Sequence, residues 1–359
     1  GAGNPYGSEP AFYVPNTLNN SLLRPETTTS IEVGADLRFF NGRAGLDVTY
    51  YENKTSDQIL DIAVSGASGF TRAYVNAGEM ENKGIELQFT VSPIRTSTFN
   101  WDVSFNFARN RNKVLSLAPG LDNYLIASWG PSVNAFVGEP YGTIIAETIM
   151  LDDQGRKLVD ENGYYVINRN QRVGSVLADF TGGLMNSFSY KGFSLSALVD
   201  FQKGGNIYSV TNRYGSYSGL LSNTVGDNDR GVAMREPVSA GGGIRAEGVL
   251  ADGSENTTYL EAVDYWGTLR NYRDEFIYDA SFIKLREVNF GYAIPAKMLR
   301  STPFKNARVA FVGRNLAILF KNIPNVDPEA AMGSGNIQGF ENGQHPSFSS
   351  MGFNVSFGF

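Results

Sequence analysis

Nine stretches of this chain alternate large apolar side chains with small or polar ones at a period of two, and the last of them runs to the final residue. Met351, Phe353, Val355, Phe357 and Phe359 alternate with Gly352, Asn354, Ser356 and Gly358, which is the pattern of a β-strand with one apolar and one polar face. The polar side chains are small and uncharged, the apolar ones mostly aromatic, and no polar tail follows. Soluble sheets seldom end this way. The closing strand of an outer-membrane β-barrel does, because one face meets lipid and the other a wet lumen. Phe353, Val355, Phe357 and Phe359 are therefore expected to face lipid.

The same pattern pairs the other segments into hairpins. Ile31–Phe39 and Ala44–Tyr51 flank an Asn41-Gly42 turn, and Ile85–Val91 and Phe99–Phe107 flank Pro93. Gly182–Tyr190 and Phe193–Phe201 are joined by Lys191-Gly192, and Ser281–Tyr292 and Arg308–Phe320 are joined across Pro295 and Pro303. In Ser281–Tyr292 the apolar parity changes at Arg286-Glu287. Either a β-bulge restores one apolar face there, or the upper half of the strand has left the bilayer and no longer needs the pattern.

Connections between these segments are short and long in strict turn. The long ones span about 30, 70, 75 and 27 residues, the asymmetry of barrels with tight periplasmic turns and long extracellular loops. If the last strand runs down to the periplasm, every short connection is periplasmic and every long one extracellular. The expected fold is thus all-β, a transmembrane antiparallel barrel. Nine strands are an odd number where bacterial single-chain barrels have an even one. Residues 1–359 are accordingly expected to be the C-terminal portion of a larger barrel. Gly1-Ala2-Gly3-Asn4-Pro5-Tyr6-Gly7 resembles neither a signal nor a transit peptide.

Composition agrees. Charged residues are 18%, aromatics 13% and glycines number 40. No run of about 18 apolar residues offers a membrane helix. A mean hydropathy of -0.21 is compatible with strands that dilute an apolar face with a polar one. With no cysteine there are neither disulfides nor thiolate metal sites. A net charge of -6 argues against nucleic acid as a partner.

Several motifs in order resemble one family. Leu23-Arg24-Pro25-Glu26-Thr27-Thr28, Asn82-Lys83-Gly84-Ile85-Glu86, Gly138-Glu139-Pro140-Tyr141-Gly142 and Asp179-Phe180-Thr181-Gly182-Gly183 are similar to the SusC/RagA family of TonB-dependent outer-membrane transporters of Bacteroidota. So are Tyr190-Lys191-Gly192-Phe193, Ser281-Phe282-Ile283-Lys284-Leu285-Arg286, Gly291-Tyr292, Gly313-Arg314-Asn315-Leu316 and Val326-Asp327-Pro328-Glu329. The resemblance implies a 22-stranded barrel, an N-terminal plug and a TonB box, with a SusD-like surface lipoprotein capping the extracellular mouth. It also allows a dimer of transporter–lipoprotein pairs. Plug, TonB box and signal peptide are not found in this sequence. The activity implied is TonB-driven import of a glycan or peptide across the outer membrane. The alternative is a surface adhesin or assembly barrel that binds partners without transport.

The residues favour binding over catalysis. The single histidine, His345, sits in a Gly-Gln-His-Pro turn with no triad context. Asp152-Asp153-Gln154-Gly155 and Asp160-Glu161-Asn162-Gly163 read as hairpin turns inside a long loop. Asp227-Asn228-Asp229-Arg230 lacks the bidentate glutamate of a calcium loop, so no metal, cofactor or enzymatic role is expected. Loop aromatics, above all Trp129, Tyr208, Tyr214, Tyr217 and Trp266, are the candidates for contact with substrate or lid. The competing reading is that these rings pack the loops together. Glu32, Asp36, Arg38, Asp47, Glu86, Asp102, Asp200, Arg308 and Arg314 fall on the polar strand face, where they either line a channel or contact a plug.

Overall fold

Alternation at period two becomes nine antiparallel strands in one sheet, each paired with its neighbours in sequence. They are β1 (Thr27–Phe39), β2 (Ala44–Ser56), β3 (Glu79–Arg95), β4 (Phe99–Ser116), β5 (Ala178–Tyr190), β6 (Phe193–Gly204), β7 (Phe282–Ala293), β8 (Asn306–Lys321) and β9 (Ser350–Gly358). This computed structural model describes residues 15–330, 335 and 337–359. The opening Gly1–Gly7 stretch lies outside the described residues. The sheet is an up-and-down meander whose edges, β1 and β9, do not meet, so the nine strands form part of a barrel.

The periodicity located all nine strands of this sheet but underestimated several lengths, and it did not find the strands inside the long connections. β2 runs on to Ser56, β3 begins at Glu79, and β4 continues to Ser116. Backbone pairing outlasts the apolar face, because beyond it cross-strand ion pairs such as Lys54–Glu79 at 2.8 Å and Lys83–Glu52 at 3.4 Å replace apolar contacts.

Two bands of rings mark the apolar face. Near the short turns Phe99 packs on Tyr190, Trp101 stacks on Phe188 at 5.8 Å, and Phe193 lies 4.5 Å from Tyr292. Near the long loops Phe107 meets Phe180 at 5.4 Å and Phe105 meets Phe201 at 6.3 Å. Along β5 the bands are ten residues apart, from Phe180 to Tyr190. At a rise of about 3.4 Å and a tilt of about 40° that is about 25 Å across the membrane.

Short connections occupy residues 40–43, 96–98, 191–192 and 294–305, the last containing a single helical turn at Ala296–Leu299. Lys191 and Gly192 both take positive φ, 47° and 92°, the two-residue turn whose twist matches the strands it joins. The long connections are residues 57–78, 117–177, 205–281 and 322–349. They fold rather than dangle. Residues 117–177 build a four-stranded sheet in which Thr143–Ile149 pairs with Ser132–Phe136 and Ile167–Ser175. Residues 205–281 carry helices α1 (Val210–Tyr217) and α2 (Ala262–Leu269). The predicted small turns are present, with Asp152 and Asp160 each accepting backbone N–H groups two and four residues on.

The buried apolar clusters lie in this loop body. One gathers Ile149, Val159, Tyr165, Ala246, Leu269 and Tyr272, and another Val133, Ile144, Tyr208, Phe276 and Phe340. A barrel wall one strand thick has no interior of its own. Its outward side chains remain exposed within the protein, Val33 at 67% and Phe353 at 78% among them.

Candidate functional site

The parity break in β7 is a bulge. Leu198 pairs with Glu287 and Val199 with Leu285, so Arg286 is left over. The facing strand carries a matching irregularity: Glu287 pairs with Arg314 and Leu285 with Ala317, and Asn315 sits at φ 49°. Leucine and valine thus stay on one face while Arg286 turns to the other. The bulged residues bond to each other, Arg286 Nη1 donating to Asn315 Oδ1 at 3.1 Å.

Arg286 is one centre of an ionic network on the inner wall. Its Nε donates to Asp200 at 2.7 Å and its Nη2 to Glu329. The second centre, Lys284, is only 4% exposed in its side chain, and its ammonium contacts both Asp327 and Glu329. Ser347 donates to the other oxygen of Asp327. Burial alone would raise the carboxyl of Asp327, but bonds from Lys284 and Ser347 outweigh it and hold the group below its ordinary value. Glu329 is likewise held low against its own burial, by Arg286 and Lys284. Stripping one partner from a buried ammonium costs about 3–5 kcal/mol, so the network fixes Asp327 and Glu329 to the wall, with Ser347 held to Asp327. Beside it opens a cavity of ≈ 600 Å³ bordered by Asp200, Arg286, Glu287, Arg314, Asn315 and Glu329. Three of the quoted motifs, around Lys284, Asn315 and Asp327, converge here. Sequence reasoning assigned Lys284 and Glu329 no role. The available signal was a lone lysine on the inward phase of β7.

Away from that node the inner wall is acidic and amide-rich. Glu32, Glu86, Asn53, Asn82 and Asn110 border one hollow with Tyr51, and Asp47, Gln88 and Asn106 border the next. Arg38 pairs with Asp36 at 2.9 Å and Arg314 with Glu287 at 2.9 Å. Arg308 donates to Ser194 at 2.9 Å, and Ser92 donates to Asp102 at 2.5 Å.

The loop aromatics divide. Trp129, Tyr214 and Tyr217 are exposed. Tyr217 and Trp266 border the same cavity of ≈ 310 Å³, together with Arg235, Glu261 and Val263, and the Arg270 guanidinium lies over the Tyr217 ring at 4.2 Å. Trp266 also packs against the first loop cluster. Tyr208 is a correction to the sequence expectation: it is 0% exposed, edge-on to Phe340 at 6.3 Å, and belongs to the loop core. Its position in the short strand Asn206–Ser209, between Ile277–Asp279 and Phe340–Glu341, puts it beneath other chain on both sides. Burial raises the hydroxyls of Tyr208 and Tyr265, and pushes Tyr272 up to about 12, so these rings remain neutral. Asp229 is engaged by Arg245 at 2.7 Å and by Tyr259, and Asn228 shapes its turn by accepting from Arg230 and Val232.

On β9, Phe353 pairs with Phe311, Val355 with Val309 and Phe357 with Ala307. Phe304 contacts Phe357 at 4.6 Å and Phe359 at 5.2 Å.

A family described as "TonB dependent receptor-like, beta-barrel" matches residues 2–143. A TonB-dependent receptor of Formosa agariphila is 30% identical over 372 residues, which is 94% of this chain and 35% of that protein. TonB-dependent receptor SusC of Bacteroides thetaiotaomicron is 25% identical over 88% of this chain and 30% of its own length. The structure of the RagAB peptide transporter superposes with a TM-score of 0.72 at 22% identity, over 99% of this chain and 38% of that one. This chain therefore spans roughly a third of the length of the relatives it matches.

Proposed function

The chain belongs to the TonB-dependent receptors, as part of their outer-membrane β-barrel, and on that premise we propose that it serves active import of a nutrient, a glycan or a peptide. The observation that carries the reading is the division of the molecule: an apolar-faced meander of nine strands on one side, and on the other a folded loop body made from the three longest connections, 117–177, 205–281 and 322–349. Here the wall carries hollows bordered by carboxylates, amides and guanidinium groups, suited to passing a polar cargo.

In this reading Phe353, Val355, Phe357 and Phe359 contact lipid. Trp129, Tyr214, Tyr217 and Trp266 are the loop-side contacts for cargo or for a SusD-like surface lipoprotein, and pairs of barrel and lipoprotein associate as dimers. Residues 1–359 are the C-terminal part of the barrel, with the plug and the TonB-contacting segment contributed by the rest of a protein of the relatives' length. TonB supplies the energy, and no bond-making step is assigned to this chain.

The test is uptake. Deleting the gene for the full protein should abolish accumulation of at least one labelled oligosaccharide or peptide, and Tyr217→Ala with Trp266→Ala should lower uptake about tenfold or more at unchanged membrane levels, as loss of aromatic anchors does. Undiminished uptake of every tested cargo, with loss only of surface adhesion, would instead support the adhesin.

A further inference from the structure

The connection from β8 to β9 is fastened both to the inner wall and to α1. On its outward leg Asp327 and Glu329 bind Lys284 and Arg286 of the inner wall, and on its return leg Ser347 binds Asp327 again. Between them Phe340 and Glu341 pair in parallel with Tyr208 and Ser209, at the entrance to α1. Glu341 is 0% exposed, and among the described residues no cation pairs with it. Its carboxylate accepts from the Ser209 hydroxyl at 2.6 Å, the Thr211 hydroxyl at 2.7 Å, and the backbone N–H of Thr211 and Gly343 at 3.1 and 2.6 Å. Thr211 lies in the first turn of α1, where N–H groups have no partner within the helix and negative charge is favoured.

A shorter route joins the same parts. Two residues before Asp327, the Asn325 amide donates to Asn212 of α1 at 2.7 Å, and Asn212 donates back to the Pro324 carbonyl at 3.0 Å. Lys284, Asp327, Asn325 and Asn212 thus form a continuous chain from wall to helix. Each end borders a cavity. Glu329 and Arg286 line the one on the inner wall, and α1, through Tyr217, lines the one it shares with α2.

We propose that residues 324–329, with Glu341, are a coupling strap that makes the order of α1 depend on the state of the inner wall. A cargo group engaging Arg286 competes directly with Glu329 and Asp200, and so acts on one end of the strap. The other end holds α1 through a buried carboxylate satisfied only by neutral donors. Such a fastening is costly to desolvate and persists only while its donors keep their geometry. The coupling is a property of the fold and stands whether or not the barrel imports anything.

The experiment is hydrogen exchange on the full-length protein in detergent, comparing wild type with Asp327→Asn, Glu341→Gln, their double variant, and Asp153→Asn as a surface control. The Asp327 carboxylate bonds to Lys284, Ser347 and the Glu329 amide, and to nothing in α1. Its loss should nevertheless speed exchange of the Asn212–Tyr214 amides about fivefold or more, the size of a typical coupling. The double variant should fall short of the product of the two singles. Ser347→Ala, which leaves every charge in place, should move α1 in the same direction by less. Acceleration confined to residues 322–349 and β7, equal acceleration in β3 to β5, strict additivity, or an unchanged α1 in Ser347→Ala would each overturn the coupling.

Discussion

Gly84 has no room for a side chain. A Cβ there would lie 2.4 Å from the ring of Tyr51 and 2.7 Å from the Arg109 carbonyl, and one at Gly182 would meet the Phe201 ring and the Asn106 carbonyl, each at 2.6 Å. Both glycines stand in motifs visible in the sequence, but the rings that demand them come from neighbouring strands. Asp274 illustrates the opposite case, a residue with no motif whose state depends wholly on its surroundings. Burial first, then Glu275, pushes its carboxyl from 3.8 up to about 6, and one of its oxygens is buried without a donor among the described residues. The folded protein therefore holds this proton more tightly than the unfolded chain. The group costs nothing below about pH 4, and its charge destabilises the loop body increasingly from there to pH 6, reaching about 2 kcal/mol after allowance for nearby solvent. Asp274→Asn should accordingly slow local opening of residues 273–278, followed by amide exchange, at pH 7.5 and leave it unchanged near pH 4. An equal effect at both pH values would contradict this account.

Among the elements, β9 is the most legible, and like the other edge strand, β1, it is exposed along nearly all of its length. Every residue from Ser350 to Phe357 has open surface on both faces, since its far side is an edge whose backbone groups are unpaired. Phe359, packed on Phe304, is expected to sit at the membrane boundary. Phe359→Asp gives up an aromatic contact of about 0.5–1.5 kcal/mol and adds a charge costing up to about 1 kcal/mol at an interface. We expect less folded protein in the outer-membrane fraction, while Ser356→Asp on the polar face retains normal levels; equal levels for the two would remove β9 from its assumed role. β7 was legible in part. Its parity change announced either a bulge or an exit from the bilayer, and the choice lay in β6 and β8, where Asp200 and Asn315 receive the displaced Arg286. Strand ends were the least legible feature, because hydrogen bonding between polar strands leaves no periodic trace.

At the scale of the molecule, barrel and loop body are built on different principles. The wall is one sheet thick and relies on ladder hydrogen bonds and outward rings, whereas the loops enclose buried clusters in the manner of a soluble domain. The two parts are joined by the ionic network of Lys284 and Arg286 and by bonds near the strand ends, such as Tyr141 N–H to Asn112 and Lys203 to Asp279. The Ala280 N–H donates to the Gly205 carbonyl at 2.9 Å, so the ends of the longest connection lie side by side. Replacing residues 206–279 by a short flexible linker should thus leave the barrel assembled, judged by heat-modifiable migration, while cargo uptake is lost. Failure to assemble would mean that the loops help to fold the wall.

What the sequence determined by itself was the wall. Alternation, turn residues and the rhythm of short and long connections are local signals, and a meander needs only neighbours in sequence to pair. The motifs also named the family without revealing why their residues are needed. Only the tertiary structure decided that Tyr208 is core while Tyr217 and Trp266 border a cavity, that Lys284 is neutralised by residues more than 40 positions away, and that Glu341 fastens α1. Those are contacts between segments distant in the chain, chosen by burial and charge pairing in three dimensions, and no period in the sequence records them.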